Sequence, residues 1–389
     1  MMIKIASFWG RIKVSFLAFL LAVLLGGFVI AFSDPKVISY WQSPFKLISE
    51  GFSVALQAYV ALFQGAVFDI NLTKKSFANG FYPLSETLTI AAPLVLAGLS
   101  VTLAFRAGLF NIGAQGQFIF GAIGASYIGF FFSLPPIVHI AVAILFAVLV
   151  AGIWGGLVGL LKAKTGAHEV IVTIMLNYVA SYFLLWILST NTFLRKGRLD
   201  PIAPEVKLSA QLPKLLGDSF RVNFALFIAG GAVIVTTIIL NRTSLGFQIR
   251  AVGANSLAAR TAGMSVPFVM TTVMFLCGAL AGLAGAAQVL GSEYALTAGV
   301  AGSFGFDAIT VALLGRAKPV GTLFAGLLFA ALRAGGLTMQ ASTTTPIDIV
   351  LVIQALIILF IAAPSLVKSI FRLKVSNTEK ELSAKGWNG

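Results

Sequence analysis

Charge is scarce in this chain. Only 10% of its 389 residues are Asp, Glu, Lys or Arg, and just 13 are acidic. An ordinary soluble domain carries roughly 25% charged residues, so water does not cover most of this molecule. So few carboxylates leave no row of buried acids for a proton relay and no paired acid and base for catalysis. The single cysteine, Cys277, excludes a disulfide framework and reads as a small apolar packing residue. The two histidines, His139 and His168, are expected on opposite sides of the membrane and offer no metal site. The G-x-x-x-x-G-K-[ST] phosphate loop is absent. The chain therefore reads as a protein that is not an enzyme and binds no cofactor of its own.

What it has is apolar length. Hydrophobic residues make up 58% of the chain. Several runs exceed the about 18 residues needed to cross a hydrocarbon core of roughly 30 Å. The 39 glycines suit tight helix packing and broken helices in a membrane. The net charge of +14 invites a nucleic-acid reading, but its distribution excludes one. The layout below places 16 of the 27 Lys and Arg on the inner face, beside only Glu379 and Glu381, and leaves 11 basic and 11 acidic residues elsewhere. That asymmetry is the positive-inside rule.

The expected fold is all-α and polytopic, with about ten membrane segments and both termini cytoplasmic. Residues 1–13 form a cytoplasmic amino terminus, 14–363 the membrane domain and 364–389 a polar cytoplasmic tail that is disordered from Lys374 on. The clear spans are 14–32, 86–105, 109–132, 137–161, 169–188, 223–240 and 265–290. Shorter apolar stretches follow at 304–314 and 320–333, and 348–363 is the last span. No small-residue cleavage site follows the first run, so an uncleaved first span is expected. Residues 304–314 are too short to cross and read as a re-entrant half-helix, tolerated only inside protein or beside water. Residues 47–68 carry Gln57 and Gln64 and read as an interfacial or partly inserted helix. Two outer loops, 33–85 and 189–222, are long; the second either docks an external partner or simply connects.

Polar groups inside the spans mark where function belongs. The densest cluster lies between Arg106 and Ser126 and holds Asn111, Gln115 and Gln117 among five glycines. It suits either a broken helix whose freed backbone meets a polar solute or a seam of interhelical hydrogen bonds. Phe110 and Phe118 flank it. Asn177 lies in a second cluster that opens at Glu169, a residue placed to favour its helix N-terminus. Gln288, Glu293 and Asp307 form a third. Glu293 is expected in water and Asp307 at the cap of the half-helix, while Arg333 snorkels. The basic cytoplasmic loop 241–264 divides at Gly253, and its second half, 255–262, reads as a short, stiff, exposed helix for a soluble motor to push.

Four stretches carry a resemblance: GLFNIGAQGQFIFGA, HEVIVTIMLNYVA, IRAVGANSLAARTAGM and GFDAITVALLGRAKPVGTLFAGLLFAALRAGG. In order, over about residues 84–363, they resemble bacterial ABC-importer permeases of the branched-chain amino acid, ribose and nucleoside family, nearest the nucleoside branch that works with basic-membrane-protein-type lipoprotein receptors. The resemblance implies several partners: a second related permease as heterodimer, a cytoplasmic ATPase with two nucleotide modules that binds ATP and Mg, and an external lipoprotein receptor. It implies nucleoside import across the bacterial cytoplasmic (inner) membrane. Riboflavin, sugars and branched-chain amino acids remain open as solutes. It also makes 253–264 the loop that contacts the ATPase, with Gly253, Asn255, Ala258, Ala259, Arg260 and Gly263 as coupling residues. Asn111, Gln115, Gln117, Phe110, Phe118, Asn177 and Gln288 are the expected pathway residues. An ion-coupled transporter and a membrane-embedded enzyme are the rival classes; the sparse acidic content argues against the first, and the second lacks a polar catalytic cluster at one interface.

Overall fold

The computed structural model describes residues 2–74, 76–343 and 345–372; the tail beyond Lys374, with Glu379 and Glu381, lies outside the described residues. Fifteen α-helices are described: α1 (Met2–Ser33), α2 (Pro35–Ser39), α3 (Pro44–Ala66), α4 (Tyr82–Arg106), α5 (Ala114–Phe131), α6 (Pro136–Thr165), α7 (Glu169–Leu188), α8 (Ala225–Arg242), α9 (Ser244–Ala254), α10 (Ser256–Thr261), α11 (Val266–Gln288), α12 (Phe304–Leu314), α13 (Pro319–Ser342), α14 (Asp348–Ala362) and α15 (Pro364–Ile370). Among the described residues there is no β-strand, only two isolated bridges.

Among the described residues, seven helices are long and apolar enough to cross a membrane: α1, α4, α6, α7, α8, α11 and α13. The other three expected segments differ from them in kind. Helix α5 starts five residues later than the apolar run and is buried along nearly its whole length. Helix α12 spans only 11 residues. Helix α14 bends by 88° into α15, at Ala363 just before Pro364. Helix α13, by contrast, runs for 24 residues to Ser342, well past the apolar stretch 320–333. Gly335, Gly336, Thr338 and Gln340 lower the hydropathy there without breaking the helix. Residues 47–68 do form a helix, α3, of 23 residues.

The described residues divide into two compact units, Met1–Leu62 with Gly336–Gly389, and Phe63–Gly335. In the first, α1 packs against α14, with Gly26 lying against Ile353. The Tyr59 hydroxyl of α3 donates to the Val23 carbonyl of α1 at 2.6 Å.

The second unit is organised on the α6–α11 pair. Its seam is made of small residues: a side chain at Gly278 would strike the Ala151 carbonyl, and one at Gly155 the Met274 carbonyl. Lipid offers no hydrophobic drive for helix association, so such close backbone approach is what holds membrane helices together. Helix α6 ends where Gly166 takes φ +70° and its N–H returns to the Lys162 carbonyl, a left-handed cap. Helix α11 loosens into a π-turn over Val289–Glu293, after which Tyr294 takes φ +55°. Burial pushes the Tyr294 phenol pKa up, while the Arg221 charge opposes the shift.

The long loop 189–222 is folded rather than free. Ala203, Val206, Ala210 and Leu212 are buried, and its backbone bonds to residues 290–296, Ala203 N–H to the Leu296 carbonyl at 2.9 Å and Leu212 N–H to the Leu290 carbonyl at 2.8 Å. His139 is fully buried beneath it, between Ser209 Oγ (2.8 Å) and the Ile128 carbonyl (3.0 Å).

Candidate functional site

The chain breaks between α4 and α5. Gly108 (φ +69°) turns it back after Arg106, and residues 107–113 climb until Asn111 meets Ser100. Ser100 lies six residues up α4 from Arg106, or about 9 Å. Helix α5 therefore begins inside the bundle, where its first N–H groups have no water to satisfy them.

The expected amides answer that need. Asn111 is fully buried; its Nδ2 donates to Gln117 Oε1 (2.9 Å) and Ser100 Oγ (3.2 Å), and its Oδ1 accepts from Gly113 N–H (3.0 Å). Asn177, from α7, accepts from Gly116 N–H at 2.8 Å and donates to the Ile112 carbonyl at 2.9 Å. Gln115 reaches across to the start of α12, donating to the Gly302 carbonyl (2.8 Å) and accepting from Gly305 N–H (2.9 Å). The N-termini of α5 and α12 meet there; any side chain at Gly305 would run into the Gln115 backbone. The cluster thus forms an interhelical hydrogen-bond seam at a place where the chain also breaks. Gln288 stands apart, bonded to Glu293 at 3.1 Å.

Of the flanking rings, Phe118 is fully buried and stacks on Phe304 at 5.6 Å, while Phe110 is half-exposed and packs on Phe105. Arg333 lies over the other ring of that stack, 4.6 Å from the Phe304 centroid, close enough for a cation–π contact. It also pairs with Asp307 at 3.5 Å. Two expectations change here. Arg333 does not merely snorkel, and Asp307 does not cap α12. Ser303 occupies the cap position, and its hydroxyl donates to Asp307 Oδ2 at 2.6 Å. An ion pair between residues 26 positions apart leaves no mark in the sequence.

The basic loop divides at Asn255 rather than Gly253. Asn255 is extended (φ −161°) and its side chain caps α10 by accepting from Ala258 N–H at 3.0 Å. Gly253 lies within α9, pressed against the turn after α4, where a side chain would strike the Arg106 carbonyl. Ala259 is buried with Ala107, Leu109 and Val252. Asn255, Ala258, Arg260 and Gly263 are exposed, with Leu257 at 75%. The loop is thus a two-sided element, one face outward and one on the α4–α5 turn. Gly253 and Ala259 belong to the inner side, because small residues there let the backbones touch.

Three further contacts escaped the sequence. Arg106 Nε donates to the Ala317 carbonyl at 2.7 Å, holding a turn in which Arg316 and Ala317 both take positive φ. Thr102 and Thr322 pair through their hydroxyls at 2.6 Å, fully buried. Glu169 forms an ion pair with Lys162 of α6. Among the described residues no group of three or more His, Cys, Asp or Glu is placed to hold a metal.

Comparison with known proteins agrees with this architecture. The family described as branched-chain amino acid transport system / permease component matches residues 84–362. The guanosine ABC transporter permease protein NupP of Bacillus subtilis is 37% identical over 82% of this chain and 88% of its own length. The glucose ABC transporter permease protein TsgB13 of Haloferax volcanii is 37% identical over 72% of this chain and 76% of its own. The nucleoside ABC transporter permease protein NupB of Lactococcus lactis is 34% identical over 73% and 80%. With seven apolar helices and this match over most of its length, the chain is a multi-pass membrane protein and belongs to the ABC-importer permease family of the branched-chain amino acid type.

Proposed function

We propose that this chain is one of two related permeases that together import nucleosides across a bacterial cytoplasmic membrane by alternating access. Both termini face the cytoplasm. A separate ATPase with two nucleotide modules binds ATP and Mg, and an external lipoprotein receptor delivers the solute. NupP and NupB support the nucleoside reading by their names, and the organisms of both hold a second, less similar relative, NupQ and NupC, which supports a pair of permeases.

One observation carries the mechanism: α9 rests on the turn that joins α4 to α5, and α10 packs on α9. A push on the exposed face of α10 passes through α9 to the backbone of Arg106, Ala107 and Gly108. The same turn leads to Asn111, and Gln115 then bonds to α12. Movement at the motor is thus delivered to the two helix N-termini inside the bundle. No covalent chemistry is asked of this chain, since the energy arrives as differential binding of the partner to two states.

The test is the assembled complex in liposomes, with ATP on the ATPase side and labelled guanosine outside. Uptake should vanish with a hydrolysis-dead ATPase; uptake that persists refutes the scheme. A sugar reading is favoured by TsgB13, and a flavin reading by a probable riboflavin import permease of Treponema pallidum, 26% identical. Competition by glucose or riboflavin in place of nucleosides would select one of them.

A further inference from the structure

Helix α12 has two faces. Phe304, Gly305, Ala308, Val311 and Ala312 are buried, whereas Ser303, Phe306, Asp307 and Thr310 lie along the other side at i, i+3, i+4 and i+7 spacing and reach the surface. Arg333 joins that open side from α13, and the side chains of Asp307 and Arg333 are 25% and 35% exposed.

With Leu314 and Pro319 at the inner face, as the sequence layout has them, Asp307 lies seven residues, or about 10 Å, up α12 and Arg333 14 residues, or about 21 Å, along α13. Against a hydrocarbon core of roughly 30 Å, neither is at its edge. A half-exposed ion pair at that depth is not directed at lipid, where ionised side chains are rare and strongly disfavoured. Its open side faces water or another protein.

The pair is also incompletely used. Ser303 and Arg333 both converge on Asp307 Oδ2, while Oδ1 takes no partner among the described residues. Beside it the ring of Phe306 is 51% exposed. An open carboxylate oxygen next to an open aromatic face matches a solute with hydroxyl donors and a flat ring.

We propose that this face of α12 lines the solute passage, with Asp307 Oδ1 accepting a hydrogen bond from a sugar hydroxyl and Phe306 stacking on the base. Arg333 is a positioning residue that holds the carboxylate aimed. Only the identity of the solute rests on the nucleoside reading; the placing of the wall does not.

The test uses the assembled complex in liposomes. Cys277 is fully buried, so an introduced thiol is the one a charged, water-soluble methanethiosulfonate reaches. Phe306→Cys and Thr310→Cys should react at least tenfold faster than Leu145→Cys, an exposed apolar position on α6, and guanosine should protect them. Reaction no faster than at Leu145→Cys overturns the wall. Fast reaction protected by glucose or riboflavin but not by guanosine keeps the wall and ends the nucleoside reading. Fast reaction that no solute slows overturns the binding role. A second arm compares uptake competition by guanosine and 2′,3′-dideoxyguanosine. The wild type should prefer the hydroxylated form by about tenfold, the worth of one hydrogen bond to a charged group. Asp307→Ala with Arg333→Gln, which leaves no orphaned charge, should bring the ratio near one. An unchanged ratio overturns the carboxylate contact.

Discussion

Asn177→Leu removes one side chain and strands two backbone groups. The Gly116 N–H loses its acceptor and the Ile112 carbonyl its donor. Hydrogen bonds between membrane helices average about 0.6 kcal/mol and reach about 1.7 kcal/mol, because an unfolded chain in lipid also finds partners. The upper value applies here. Both stranded groups are backbone atoms fixed at a helix break, and Asn177 itself is only 7% exposed, so neither water nor another side chain replaces it. Two bonds at that value give a loss of about 3 kcal/mol. Leucine branches at the same carbon and is larger than asparagine, so none of the loss is a cavity. The assay is SDS-induced unfolding of the purified chain in mixed micelles, read by helical signal. Met175→Ala, at an exposed position, should lose under about 0.5 kcal/mol. If Asn177→Leu unfolds within 0.5 kcal/mol of the wild type, the idea that amides hold this break in place is wrong.

Gly278→Val should abolish the folded protein, because any side chain there meets the Ala151 carbonyl, while Gly230→Ala, with nothing within 4 Å, should be silent; monodispersity in detergent distinguishes them. Ala258→Arg, on the exposed side of α10, should leave the chain stable but lower coupled uptake at least tenfold while the partner still hydrolyses ATP. Ala259→Arg forces a charge among Ala107, Leu109 and Val252 and should instead destabilise the chain in a melting measurement. Equal melting of these two variants would refute the two-sided description of α10.

The spans were legible because lipid makes apolar length almost the only requirement. Glu169–Leu188 and Phe304–Leu314 end where the apolar pattern ends. Other boundaries were hidden because what stops or continues a helix there is not hydropathy. Helix α5 starts late because Asn111 and Gln117 bond to each other and not into a continuing helix. Helix α13 runs on through Gly335 and Gly336 because its backbone bonds within itself whatever its side chains are. The amides were legible as important, since buried polar groups in a membrane must be matched, but their partners were not. Asn177 and Gly116 are 61 positions apart, and Gln115 and Gly305 190. Nor does the residue type Ala say that Ala258 is outside and Ala259 inside; that follows from α10 packing against α9 and α11.

Those particulars also say where this fold can move. The α6–α11 seam brings backbone to backbone at Gly155 and Gly278, so sliding it would require atoms to pass through one another or the helices to separate. The α4–α5 turn is held otherwise, by side-chain amides and by Gly108, whose positive φ costs a glycine little. Amide hydrogen bonds can exchange partners singly, each at a modest cost, whereas a close-packed seam yields only as a whole. Under the proposed scheme, a force entering at α10 is expected to turn residues 107–113 about Gly108, with the bonds of Asn111 and Gln115 the first to change. Gln115 spans the N-termini of α5 and α12, so the two helices shift together or the bond breaks. On the proposed mechanism, the break and its amides are the element that switches, with α6 and α11 as the frame it moves against. Locking the break rather than the frame should then stop transport in a protein that is otherwise more stable.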